Sequence, residues 1–220
     1  MLLDNIPHVV YRFLLTFGLG FLLTAGPVSA GMYEELLQVV DENDAAQLRE
    51  LLKQGGDPNT VDRDGNSLLM LAARDGREDV FKVLLETRVK INARNRGGET
   101  ALMLAAIQGH TEIAKRLVFN GAQVDFRGWN PLLYAATGGK DDIVLLLLNV
   151  GADINARSEN GTTPLMMAVR GAHLSTVKLL LERGANPNLK NERGETALMW
   201  AMDHGHTQIG TLLMERGAKD

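Results

Sequence analysis

Four histidines stand in the second half of this 220-residue chain, or close to it: His110, His173, His204 and His206. Histidine is the first residue to examine for acid–base or metal chemistry. Zinc needs three or four converging ligands. His204 and His206 straddle a turn, offer no obvious third ligand, and have no cysteine to call on. No G-x-S-x-G elbow occurs, and no glycine-rich phosphate loop ending in Lys-Ser or Lys-Thr. Methionines recur at Met70, Met103, Met166 and Met199, with Leu133 in the same column. Such a column is either a track for a soft metal or a stripe of core side chains, and the core is the simpler reading. These residues imply no catalytic residue, no cofactor and no metal, and the chain is expected not to be an enzyme.

The elements that carry these residues repeat. ETALMLAAIQGH begins at Glu99, and close variants begin at Asn66, Trp129, Thr162 and Glu195. The glycine just before each phrase (Gly65, Gly98, Gly128, Gly161, Gly194) recurs at spacings of 33, 30, 33 and 33. A fixed period of this size predicts a solenoid. Ser67, Thr100, Asn130, Thr163 and Thr196 are placed to cap a short inner helix, and Pro131 and Pro164 suit its first position. Gly76, Gly109, Gly139, Ala172 and Gly205 mark the turn into a second helix with apolar residues at helical spacing, such as Ile143, Leu146 and Leu147. Gly121, Gly151, Gly184 and Gly217 end that helix. His110, His173 and His206 hold one register after the inter-helix turn, as structural residues would.

GTTPLMMA at Gly161–Ala168 and GADINAR at Gly151–Arg157 closely resemble the ankyrin repeat, over about residues 33–220. The resemblance implies an all-α solenoid of stacked helix-turn-helix units joined by β-hairpin loops. A degenerate N-terminal cap over 31–61, with helices at Tyr33–Val40 and Asp44–Gln54, precedes five units near 62–94, 95–127, 128–157, 158–190 and 191–220. The chain departs from the family in three ways. The methionine column stands where the family usually places a hydrogen-bonding histidine, so cohesion there must rest on packing. Arg88 replaces the helix-ending glycine of the first full unit, which predicts a softer junction. The third unit is three residues short before Gly128, either as neutral loop shortening or as a notch shaped for a partner.

Net charge is −4, too mild and of the wrong sign for nucleic acid. Near the N-terminus, Arg12 precedes the apolar run FLLTFGLGFLLTAG, and Pro27-Val28-Ser29-Ala30 follows it. That is the layout of a secretory signal. The run is shorter than the roughly twenty residues a membrane span needs. Residues 1–30 are therefore expected to be a signal peptide cleaved after Ala30. The mature chain is then expected in a bacterial periplasm, monomeric, with no stable membrane anchor and no disulfides.

Ankyrin-like proteins generally bind other proteins through hairpin tips and the groove of inner helices. Carried onto this chain, the resemblance offers tip and groove candidates that include Arg96, Arg127, Trp129, Glu159, Asn160, Arg170 and Glu192. Arg94, Arg157 and Lys190 lie four residues before the hairpin glycine, with Arg127 in the equivalent place of the short unit. This column is either solvated charge or a strip that meets an acidic partner surface. Trp129 is expected to face the groove as a partner anchor; the competing expectation is that it folds back on Phe126 and plugs the short loop. The function expected is non-catalytic binding that sequesters or stabilises a periplasmic enzyme or a toxin. A structural role in an envelope assembly is the alternative, disfavoured by the polar last helix.

Overall fold

The computed structural model describes residues 27–219, with side chains from residue 31 on. Of the expected export segment, residues 1–26 lie outside the described residues. Within them twelve helices follow in pairs. The cap is α1 (Pro27–Asp41) and α2 (Ala45–Lys53). The five units are α3 (Leu68–Asp75) with α4 (Glu78–Leu85), α5 (Ala101–Gln108) with α6 (Thr111–Phe119), α7 (Pro131–Thr137) with α8 (Asp141–Asn149), α9 (Pro164–Arg170) with α10 (Leu174–Glu182), and α11 (Ala197–Asp203) with α12 (Thr207–Glu215). Helix α1 starts earlier than the sequence predicts and spans the Ala30–Gly31 bond; its described buried residues, Leu36, Val39 and Val40, all follow that bond.

Each inner helix starts where its cap places it. The side chains of Ser67, Thr100, Asn130, Thr163 and Thr196 each accept the backbone N–H three residues on. That satisfies one of the free donors of a helix start. The inner helices stack on one another, and the central alanines Ala72, Ala105, Ala135, Ala168 and Ala201 are buried at every step. The stack is tight between α5 and α7. There a Cβ at Gly138 would collide with the Ile107 carbonyl, so the short unit needs glycine at the end of its inner helix.

The expected β-hairpin loops form no strand among the described residues; one isolated antiparallel bridge joins Val61 and Ser67. Short backbone turns close these loops, and side chains add to them. Asp62, Asn95 and Asn191 each accept backbone N–H groups two and four residues on, and Ser158 accepts the one four residues on. An acceptor inside the turn satisfies donors that a ladder would otherwise use.

Met70, Met103, Leu133 and Met166 are buried, while Met199, in the last described unit, is exposed. Cohesion at this column is packing. The hydrogen-bonded ties between units lie elsewhere. His110 and His173 place Nε2 at 3.1 Å and 2.9 Å from the carbonyls of Arg74 and Thr137 in the preceding units. Their rings cover Gly76 and Gly139, where any Cβ would strike them. Asn59, Asn92, Asn155 and Asn188 each accept a backbone N–H of the next unit, from Lys90, Gln123, Asn186 and Lys219 at 2.8–2.9 Å. Three of them also donate to its carbonyls, at Arg88, Gly121 and Gly217.

The outer helices also pack in succession, with one break. Between α4 and α6 contact is sparse and an open trough of about 730 Å³ intervenes, lined in part by Leu85 and Phe119. This is the junction at Arg88. Where glycine ends the outer helix, its positive φ allows the following N–H to reach back to a buried carbonyl: Gly56 to Leu51, Ala122 to Leu117, Ala152 to Leu147, Ala185 to Leu180, Ala218 to Leu213. Arg88 does not enter that conformation, and the turn closes through Thr87 to Leu84 instead.

Candidate functional site

The irregular third hairpin builds the candidate site. In the other units an Asp, Asn or Ser closes the loop on itself. Here Asp125 instead accepts the Asp153 N–H of the next unit at 3.3 Å. The tips on either side are linked across units: the Arg96 N–H donates to the Asp64 carbonyl at 3.1 Å, and the Glu192 N–H to the Asn160 carbonyl at 3.0 Å. Among the described residues no backbone hydrogen bond joins the short tip to either neighbour. The row of tips is thus two linked pairs with a gap between them.

Trp129 stands at that gap. It occupies the column of Glu99, Thr162 and Glu195, is half-buried, and meets the Tyr134 ring edge-on at 5.4 Å and 79°. Tyr134 is buried, and its hydroxyl donates to Glu99 Oε1 at 2.8 Å. Glu99 Oε2 accepts from Asn95 Nδ2, which also reaches Asn66 Oδ1 at 2.7 Å. A polar chain therefore runs through three units under the groove. Burial, and then the Glu99 charge, raise the Tyr134 pKa far above its ordinary value, so the hydroxyl stays a donor.

The gap is a cavity of about 180 Å³ lined by Trp129, Glu159, Asn160 and Glu192. It is too small for most small-molecule ligands, whose pockets run from about 300 Å³ upward, and has room for a side chain. Trp129 takes Tyr134 as its ring partner, not Phe126. Phe126 is covered by Arg94, whose guanidinium lies 4.3 Å from the ring centroid.

The basic candidates are spread over separate tasks. Arg157 donates to the Lys190 carbonyl at 2.6 Å, which brings these two residues together. Arg127 and Lys190 are exposed and form no ion pair among the described residues, and Arg96 is exposed beside Gly65 of the neighbouring tip. Arg170 is half-buried with no ion-pair partner among the described residues, and desolvation lowers its pKa from the usual value. The walls of the Trp129 cavity are carboxylates rather than guanidiniums.

One exposed anchor escaped the sequence reading. Phe119 is 90% exposed on the trough between α4 and α6. Aligning the outer helices reveals it, since its column otherwise holds Glu86, Asn149, Glu182 and Glu215. Among the described residues no cluster of His, Asp and Glu could hold a metal ion, and no helix is long and apolar enough to cross a membrane.

A family model described as ankyrin repeats (3 copies) matches residues 36–127, 88–158 and 132–220. No curated protein matches the chain. Proteins of this family are generally protein–protein interaction modules and typically non-enzymatic. The matched segments run through every unit described above, and the chain belongs to the ankyrin-repeat family.

Proposed function

We propose that the chain is an exported binding module of a bacterial periplasm, which holds a partner protein at the gap in its row of tips and sequesters or stabilises it. The interrupted tip row carries this reading. The gap removes one tip, leaves Trp129 half-exposed at its wall, and opens a side-chain-sized cavity on a surface whose identity the fold does not dictate. The expected cleavage after Ala30 is compatible with the cap, because the described buried residues of α1 lie beyond that bond.

The test is capture from a soluble envelope extract by the tagged chain, read by mass spectrometry, with Trp129→Ala in parallel. One protein is expected with the wild type. The variant is expected to bind it weaker by about 2 kcal/mol or more, a hot-spot loss, at nearly unchanged thermal stability. Lost stability with unchanged capture would make Trp129 a structural plug and defeat the reading.

A second reading has one observation behind it. The last unit ends in exposed apolar side chains, with Met199 38% and Met202 64% exposed. Met202 stands where earlier units bury Ala73, Ala106, Ala136 and Val169. The last helix is polar, as the sequence suggests, but the inner helix beside it is not, and this end suits stacking of copies in an envelope assembly. Sedimentation across a wide concentration range separates the two readings. A monomer throughout favours the binding module, and growth that Met202→Glu abolishes favours the assembly.

A further inference from the structure

We infer that the cavity at the short third hairpin receives an arginine side chain of the partner protein. The inference rests on the binding-module reading and specifies what the module recognises. The cavity wall combines the indole of Trp129 with the carboxylates of Glu159 and Glu192 and the amide of Asn160. Neither carboxylate has a hydrogen-bond or ion-pair partner among the described residues, in contrast to Glu99 and Glu195, which are held by neighbouring donors. The indole also makes an edge-to-face contact with Tyr134, itself anchored on Glu99. The ring is thus packed on the protein on one side and borders the cavity on the other.

Charge and shape select the occupant together. Two unpaired carboxylates repel an acidic group and attract a cation. An aromatic face beside them favours a weakly hydrated planar cation, which can stack on the ring while its N–H fork meets a carboxylate. Guanidinium fits both requirements; ammonium, strongly hydrated and without a plane, fits the charge alone. The cavity volume of about 180 Å³ admits one side chain. Glu159 reaches over the short hairpin: its carboxylate lies where a Cβ at Gly128 would stand. The same hairpin that supplies Glu159 and Asn160 holds the Thr162 hydroxyl buried without a hydrogen-bond partner among the described residues.

The partner surface matched to this cavity is basic, whereas the column of Arg94, Arg157 and Lys190 suggested an acidic one. The structure engages two of those three residues elsewhere: Arg94 covers Phe126, and Arg157 holds the Lys190 carbonyl.

The probe is the peptide acetyl-Gly-Ser-Arg-Ser-Gly-amide, titrated into the full chain while the indole N–H resonances of Trp129 and Trp200 are followed by NMR. Trp200→Phe assigns the two signals. Controls carry citrulline, the neutral isostere of arginine, or lysine at the central position. A saturable shift of the Trp129 signal alone is expected. It should weaken by about tenfold or more with citrulline, as for loss of a charge-assisted contact, and less with lysine. Glu159→Gln combined with Glu192→Gln, both exposed positions, should abolish it without changing thermal unfolding. Equal binding of the citrulline peptide, an unchanged titration in the double variant, or equal movement of both tryptophan signals would overturn the inference. None of those results touches the envelope capture, so the module reading fails or stands by that measurement alone.

Discussion

Among the described residues the Tyr134 hydroxyl is the single donor that reaches Glu99 Oε1, and it comes from the following unit. Glu99 is buried, so removing that donor leaves a carboxylate oxygen without its partner away from water. Tyr134→Phe is therefore expected to destabilise the chain by about 1–3 kcal/mol, read as a lowered denaturation midpoint. An unchanged midpoint would mean that water or a neighbouring donor replaces the hydroxyl at no loss. The sequence places Tyr134 within the repeated inner-helix phrase that begins at Trp129, where the structure buries it. It does not show the tie, because Glu99 and Tyr134 are 35 residues apart and meet only when two units are stacked at this spacing. The capping residues were legible for the opposite reason: cap and recipient lie three residues apart, so local chemistry suffices.

At the scale of the helix, the outer layer is regular except after α4. Five turns close with the N–H after a left-handed glycine returning to a buried carbonyl, and the turn at Arg88 does not. An L-residue in the left-handed region costs about 1–2 kcal/mol, and the chain avoids that conformation here. Ala172 accepts it at another turn, with φ of 55°. Arg88→Gly should admit the missing bond from the Val89 N–H to the Leu84 carbonyl. The expected gain is about 0.5–1 kcal/mol, accompanied by slower amide exchange at Val89. A destabilised variant, or exchange at Val89 that stays fast, would show that the present turn is held by something other than the absence of glycine. The missing glycine can be read from the sequence, but its consequence, the parting of α4 from α6 and the trough beside Phe119, cannot. Where two helices separate depends on the sum of the contacts on both faces, not on one residue.

Across the whole molecule, stability in such an array is a sum of unit and interface contributions, so the ends loosen first. The last unit carries its own pH sensitivity. Glu195 is held below the ordinary carboxylate range by the Asn191 amide and then by the Trp200 indole N–H, against a smaller opposing effect of burial. A carboxyl group with a depressed folded pKa adds stability that is in place above its unfolded value of about 4.3. That stability is lost as the pH falls through the folded value. On acidification the Trp200 indole resonance should therefore shift below the ordinary glutamate range, before the Trp129 signal loses its dispersion. Glu195→Gln should remove that transition. If both tryptophans respond together, unfolding is global and the last unit is no softer than the rest.

The ties between units have a common reach. The side-chain hydrogen bonds that join them span from 28 to 37 residues, whether the bond is Asp153 to Asp125 or Val80 to Asn43. Each needs only the unit that follows in the chain. A polypeptide emerging N-terminus first, from a ribosome or through a translocation pore, can therefore latch each unit as soon as its successor appears. Such low contact order favours rapid folding. With no cysteines to pair, the chain also has no oxidation step to wait for.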